Sequence, residues 1–286
     1  MVIKMKKKSL YKDIFREIKH SFGRFLSITA LLMLGVAFFV GLKAAGPDMI
    51  LTATNYFEKY NLADVDVQST YGLDESDVEL IEQVEGIKEI SFGYTADVLF
   101  ENTNLVAKVY SILTDGSLNV NGYEINKGRL PNKSGEIAID YDLQSKGYKI
   151  GDKITFVDHN GAAFTDTFQE STFTIVGFVS SPKYIENTKR GSSTFGDGVI
   201  DGYAVIVEDD FQMDVFTVAN IRFNNTLNVP AYSELYDDKN EENVEMIETA
   251  LKGQPAKRLQ KIKEEAQSEI DDAEEELQEG KQELKD

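Results

Sequence analysis

The chain has 286 residues, a formal net charge of −19, 49 acidic against 30 basic side chains, two His, no Cys and no Trp. Zinc sites of the Cys/His kind and disulfides are thereby excluded, and a His-based catalytic triad is disfavoured. The charge is segregated: residues 1–46 sum to +7 and residues 47–286 to −26, a surface that repels phosphate backbones, so no nucleic-acid partner is expected.

The first 24 residues hold eight bases and two acids. Leu10, Ile14, Ile18 and Phe22 recur every four residues with Lys12, Arg16 and Lys19 on other faces, which predicts an amphipathic helix lying along the inner membrane surface. A plain positive-inside flank is the alternative.

Residues 25–46 follow as the predicted membrane helix. The 18 residues from Phe25 to Leu42, through Leu32 and Phe38, carry no charge, and Lys43 near their end is placed to snorkel. The basic flank sets the N-terminus in the cytoplasm and everything after about residue 46 outside it, in a cell membrane. A cleavable signal peptide is the competing reading, because Ala44-Ala45-Gly46 offers a cleavage site. The apolar run exceeds the usual signal length and helical spacing resumes after Pro47, so a retained anchor is expected.

Pro47 suits the first turn of a further helix, and Ile50, Ala53, Phe57 and Tyr60 keep helical spacing, giving a stalk over 47–60. From residue 61 to 256 the pattern is that of a β-rich α+β domain. A short helix is expected from Glu75 to Val84, opened by an acidic turn and closed by Gly86. Strands are expected at Val65–Val67, Ile90–Tyr94, Val98–Phe100, Val106–Ile112, Glu136–Ile139, Lys153–Val157, Phe173–Phe178, Tyr203–Val207 and Val215–Phe223, the last closed by Pro230. Val244, Ile247 and Leu251 make a short helical stripe. The fold class is therefore α+β: membrane helix and stalk, β-rich extracytoplasmic domain, and a C-terminal coiled-coil helix.

Residues 257–286 begin that coiled coil. Leu259, Ile262, Ala266, Ile270, Ala273, Leu277, Gly280 and Leu284 form a seam with one irregularity between Ile262 and Ile270. Such a seam takes a partner helix, or belongs to a longer parent with a returning helix beyond Asp286; the second reading is adopted as the expectation.

No catalytic constellation emerges and no cofactor or metal is expected. Asp158-His159-Asn160-Gly161 reads as a turn. Gly128-Arg129-Leu130-Pro131-Asn132-Lys133-Ser134 lacks the second Gly of a phosphate loop. Asp64/Asp66, Asp74/Glu75/Asp77 and Asp237/Asp238 lack the register of a calcium loop and read as solvated surface. Asn132-Lys133-Ser134 and Asn224-Asn225-Thr226 match the glycosylation acceptor pattern incidentally.

The run from Gly122 to Phe156, with G-R-x-P, G-E-I-x-I and G-x-x-x-G-D-x-I, resembles the MacB-like extracytoplasmic core domain of FtsX-like ABC transporter permeases. Thr174 to Val179 with Ser181-Pro182-Lys183-Tyr184 adds a second signature. Arg190-Gly191 to Asp201-Gly202-Tyr203, with the coiled coil, is similar to large Gram-positive-type permeases. The resemblance implies a permease unit, a dimer or pseudo-dimer, that works with a separate cytoplasmic ABC ATPase and passes ATP-driven helix motion to its extracytoplasmic domain, in efflux, lipoprotein or peptide handling, or cell-envelope control. The reading from another class is a single-pass scaffold or adhesion protein acting through its coiled coil. Gly177 is expected at a bulge or close approach, and Arg129 is expected to pair with a carboxylate such as Glu136 rather than contact a partner.

Overall fold

The structure is a computed structural model that describes residues 7–114, 120–158, 161, 162, 164, 167–185 and 190–283. The chain divides into two compact units, one up to Ala53 and the other from Thr54 onward.

In the first unit, α1 (Lys7–His20) is followed after Ser21 by the 38-residue helix α2 (Phe22–Lys59), whose residues from Thr54 on belong to the second unit. Phe22 thus opens α2 rather than closing α1, and the Ser21 hydroxyl donates to the Glu17 carbonyl at 2.9 Å where the two helices meet. Leu10, Ile14 and Phe22 are exposed, as are Phe25, Leu32, Phe38 and Leu42, with Ile18 half-buried. The apolar part of α2 is long and apolar enough to cross a membrane. The helix does not restart at Pro47. It runs through it, although proline removes one backbone donor from a helix interior.

The second unit holds two sheets. The smaller has the order β1-β10-β2, from β1 (Val65–Leu73), β2 (Ile87–Gly93) and β10 (Phe216–Phe223), all antiparallel. Alternate residues of its strands, Val65, Ile221 and Phe223 among them, face α3 (Glu75–Glu82) and α4 (Glu234–Ala250) and pack on Ile81 and Ile247. Asp74 caps α3, accepting from the Ser76 and Asp77 amides while the Asp77 side chain returns to the Asp74 amide.

The larger sheet has the order β5-β8-β6-β9-β4-β3-β7. Its strands are β3 (Thr95–Phe100), β4 (Val106–Ile112), β5 (Glu124–Gly128), β6 (Glu136–Asp140), β7 (Lys153–Val157), β8 (Thr172–Ser180) and β9 (Gly202–Val207). Because β8 also pairs with β7, the sheet closes on itself. Ile137, Ile139, Ala204 and Ile206 point to the aromatic interior with Phe156, Phe173 and Phe178, whereas Ala138, Tyr203 and Val205 point to an outer cluster under Tyr123 and Tyr184. Both faces of β6 and β9 are buried, so these strands lack alternation in sequence.

Strand β5 was not anticipated; β10 ends at Phe223 as expected, closed by Asn224 rather than by Pro230, because Asn224 leaves the ladder to donate to the Gly86 and Ile87 carbonyls at 3.1 and 3.2 Å. The final helix, α5, spans Gln254–Glu283 and so begins three residues before Lys257, with Pro255 in its first turn. Ile270, Ala273 and Leu277 are exposed on it, and Leu284 lies outside the described residues. So do His159 and Asn160 of the expected turn, although the Gly161 amide donates to the Asp158 carbonyl at 3.0 Å.

Candidate functional site

The family-like motifs resolve into structural clasps. Arg129 grips Glu136 through two parallel bonds of 2.5 and 2.6 Å, and the guanidinium also reaches the Leu130 carbonyl at 3.0 Å. This clasp closes the connection from β5 to β6. The hydrogen bonds from Arg129 hold the buried Glu136 carboxyl below its ordinary value. Gly128 and Gly177 face each other in the β5–β8 register, and β8 bulges at Val176, which has no partner between Ile137 and Ala138 of β6. A Cβ on Gly177 would sit 2.2 Å from the Arg129 carbonyl oxygen. Arg190 is buried against Asp140 at 2.9 Å and Asp142 at 2.6 Å, with its guanidinium over the rings of Tyr184 and Tyr203.

The acidic pairs also have structural work. Asp64 accepts from the Phe223 amide, the Thr226 hydroxyl and the Tyr236 hydroxyl at 2.7, 2.8 and 2.8 Å, tying the end of β10 to α4. Burial, and then the Asp64 carboxylate, push the Tyr236 phenol up.

Within the second unit, the last residues of α2, from Thr54 on, meet β10 and the chain entering β5. Helix α2 ends in a Schellman motif: Asn61 takes a left-handed backbone at φ 49°, its amide donates to Glu58 at 3.2 Å, and the Leu62 amide donates to Phe57 at 3.0 Å. Asn tolerates this backbone better than other residues with a side chain. The end is then held on two sides. On one, Arg222 of β10, only 4% exposed, pairs with Glu58 at 2.8 Å and donates to the Leu62 carbonyl at 2.7 Å. On the other, the Gly122 and Asn121 amides donate to the Tyr60 and Asn61 carbonyls at 2.8 and 2.9 Å.

Asn121 completes the joint. Its side chain accepts from the Ala63 amide at 2.9 Å and donates to Asn220 of β10 at 2.9 Å, so one buried amide spans α2, the chain entering β5, and the small sheet. Thr54 accepts from the Ala231 amide at 2.9 Å, and the Phe57 ring lies 6.0 Å from that of Tyr232. Tyr232 is exposed and has φ 59°, a conformation that bulky residues rarely hold unless their surroundings impose it. Burial, Glu124 and Tyr60 raise the Tyr56 phenol to about 12, so it remains protonated at neutral pH.

A second junction holds the base of α5. Gln254 donates to Ser76 at 3.1 Å, Arg258 to the Tyr71 carbonyl at 3.2 Å, and Lys261 lies 3.9 Å from Asp74. A cleft of about 1030 Å³ between α3 and these first turns has both charge signs on its walls and no convergent polar set. Among the described residues no group of three metal-ligating side chains assembles.

The positions singled out from sequence therefore lie on three helices: Leu10, Ile14 and Ile18 on α1; Phe22, Phe25, Leu32, Phe38 and Leu42 on α2; and Ile270, Ala273 and Leu277 on α5. None of them enters the joint. Glu58, Asn61, Asn121 and Arg222 do, and sequence reasoning missed all four. Only Asn61 carried a usable signal, an Asn just past a helical stripe.

Comparison with curated proteins gives no match. Among solved structures, the extracellular domain of the noncanonic ABC-type transporter YknZ from Gram-positive bacteria is 10% identical with a TM-score of 0.32, covering 55% of this chain and 75% of that one. The periplasmic region of MacB from Actinobacillus actinomycetemcomitans is 12% identical with a TM-score of 0.32, covering 62% and 74%. A domain of a permease protein from Porphyromonas gingivalis is 15% identical with a TM-score of 0.29, covering 65% and 73%. The model of the MacB-like periplasmic core domain matches residues 25–267, most of the chain, and the chain belongs to that family of ABC transporter permease domains.

Proposed function

We propose that this chain carries motion of a membrane helix to an extracytoplasmic domain in an ABC permease, the motion being driven by ATP hydrolysis in a separate cytoplasmic subunit. The observation that supports it most is the joint. Helix α2 is one element from Phe22 to Lys59, and its end is gripped by β10 through Arg222 and by the chain entering β5 through Asn121 and Gly122. A displacement of that helix end is thereby passed to both sheets through charged and backbone hydrogen bonds rather than through a loose linker.

In this reading Phe25, Leu32, Phe38 and Leu42 face lipid, and Leu10, Ile14, Ile18 and Phe22 seat α1 and the start of α2 at the cytoplasmic membrane surface. The domain from Thr54 lies outside the membrane. Two such units act as a dimer or pseudo-dimer, and α5 is the first helix of a coiled-coil arm. The chain's role is transmission rather than catalysis.

The experiment is a double-mutant cycle at the joint, with Glu58→Gln and Arg222→Leu measured singly and together in the full chain in detergent micelles. Removing Arg222 leaves Glu58 and the Leu62 carbonyl without their cation and costs about 2 kcal/mol, with a coupling of about 1 kcal/mol to Glu58. In cells holding the assembled transporter, Arg222→Leu should leave membrane insertion intact and abolish the ATP-dependent output. Wild-type output from that variant would refute transmission through the joint.

A further inference from the structure

The turn Ser181-Pro182-Lys183-Tyr184 follows β8. Its Tyr184 amide donates to the Ser181 carbonyl at 3.1 Å, and its Lys183 amide to the hydroxyl of buried Ser181 at 3.3 Å. The turn sends two neighbouring side chains to different sheets. The Tyr184 ring stacks on Tyr203 of β9 at 4.9 Å, and its hydroxyl meets that of Tyr110 of β4. Lys183 crosses to the smaller sheet, where it pairs with Asp66 of β1 at 2.9 Å and donates to Asn220 of β10 at 3.4 Å, with 15% of its side chain exposed.

The smaller sheet presents a matching surface. Asp66, Asn220 and Ser91 are register partners, so one polar row crosses β1, β10 and β2. Side chains alternate along a strand, and Asn220 therefore lies on the opposite face of β10 from Ala219 and Ile221, which pack in the cluster under α3 and α4. Asn121, from the chain entering β5, also reaches this row, donating to Asn220 at 2.9 Å. A cavity of about 30 Å³ adjoins these contacts, lined by Ser91, Ser111, Asn121, Lys183, Val218 and Asn220, with room for a water molecule.

At its other end the seam between the sheets is aromatic. The chain passes from β2 to β3 through Tyr94, whose ring lies 5.4 Å from Phe211 and 5.3 Å from Phe216, while the Thr95 amide donates to Thr217 at 2.7 Å. The apolar cluster inside the larger sheet and the one under α3 and α4 have no buried residue in common. The sheets are thus packed separately, and they meet at rings around Tyr94 and at hydrogen bonds and an ion pair along the polar row.

We infer that Lys183 is a latch between the two sheets: it holds the polar row against the larger sheet, and its release lets the smaller sheet swing away about Tyr94. Arg222, two residues from Asn220 on the same face of β10, receives the end of α2. The latch therefore decides whether a displacement taken up by β10 is passed to the larger sheet or absorbed by opening of the seam. Polar contacts suit this task, because water replaces them as they part, whereas parting an apolar interface exposes its whole area. The use of the latch rests on the transmission reading; its existence does not.

The test uses the full chain in detergent micelles, with one thiol at a time in a chain that has no other. Val218→Cys places it in the seam, at a residue that lines the cavity and is 2% exposed. Val109→Cys places it inside the larger sheet, at a residue that is 0% exposed. Reaction with a maleimide waits on opening of whatever covers the thiol, so its rate reads the open population even where that population is small. Lys183→Met keeps the apolar stem and removes the cation. It should speed labelling at position 218 about fivefold or more and leave position 109 unchanged, since opening the seam does not unfold the core. Asp66→Asn, a milder change should the first variant fail to fold, should speed position 218 in the same sense.

Unchanged labelling at position 218 in a folded variant would overturn the latch, because the seam would then be rigid without its ion pair. An equal rise at positions 218 and 109 would overturn it too, because Lys183 would then contribute only to global stability. Neither result bears on the cycle at Glu58 and Arg222, which tests the joint itself.

Discussion

At the scale of single residues, the motif positions act as fasteners. Glu136 accepts two hydrogen bonds from Arg129, which hold its folded value below the unfolded one. The stability it contributes is fully present above the ordinary carboxylate value and is lost as pH falls through the depressed folded value. Arg129→Gln should cost about 2 kcal/mol at neutral pH, and the variant should lose less further stability on acidification below about pH 4.5 than the wild type does. Urea unfolding at a series of pH values measures both. Gly177 tests the close approach of β5 and β8. Gly177→Ala puts a methyl 2.2 Å from a backbone oxygen that has no rotamer to escape into, and should cost about 3 kcal/mol or more. Gly135→Ala meets no atom within 4 Å and pays only for its left-handed backbone, about 1 kcal/mol. Equal melting temperatures for the two variants would mean that the approach is not tight.

At the scale of elements, legibility followed periodicity. The apolar run of α2 was readable because it is long and without charge, and the stripe of α4 and the strands at Val106–Ile112 and Lys153–Val157 because each buries a regular face or a continuous run. Strand β5 was not, because EINKG pairs along one edge of β8 with four of its five residues exposed and shows no hydrophobic pattern. The pairing of Arg129 with Glu136 and the bulge beside Gly177 were legible, since each follows from local chemistry. The joint was not, because Arg222 and Glu58 are 164 residues apart in sequence and only the topology of the small sheet brings them together. The Schellman end of α2 supplies the test at this scale. Asn61→Gly keeps the left-handed backbone but loses the hydrogen bond that the Asn61 side chain donates to Glu89 and should cost about 1 kcal/mol, while Asn61→Val, which loses that bond and also resists the left-handed backbone, should cost about 3 kcal/mol. In hydrogen exchange the Asn61→Val variant should lose protection at the Asn61 and Leu62 amides before the strands of the larger sheet do. Unchanged protection there would argue against a helix end fixed by this motif.

At the scale of the whole molecule, charge and hydropathy agree with the fold. A basic segment, a helix with an uncharged apolar run from Phe25 to Leu42, and a strongly acidic domain of a periplasmic type follow one another along a single chain. The account depends on the domain lying outside the membrane while the N-terminus stays inside, for only then does motion of α2 reach an extracytoplasmic surface. The absence of Cys permits a direct measurement, because one introduced thiol is the only one present. Lys12→Cys, Lys88→Cys and Lys149→Cys are placed in separate copies of the chain, produced in intact cells, and treated with a maleimide that does not cross membranes. The account predicts rapid labelling at positions 88 and 149, and labelling at position 12 only after the membrane is opened. Labelling of position 12 in intact cells, with 88 and 149 protected, would contradict it.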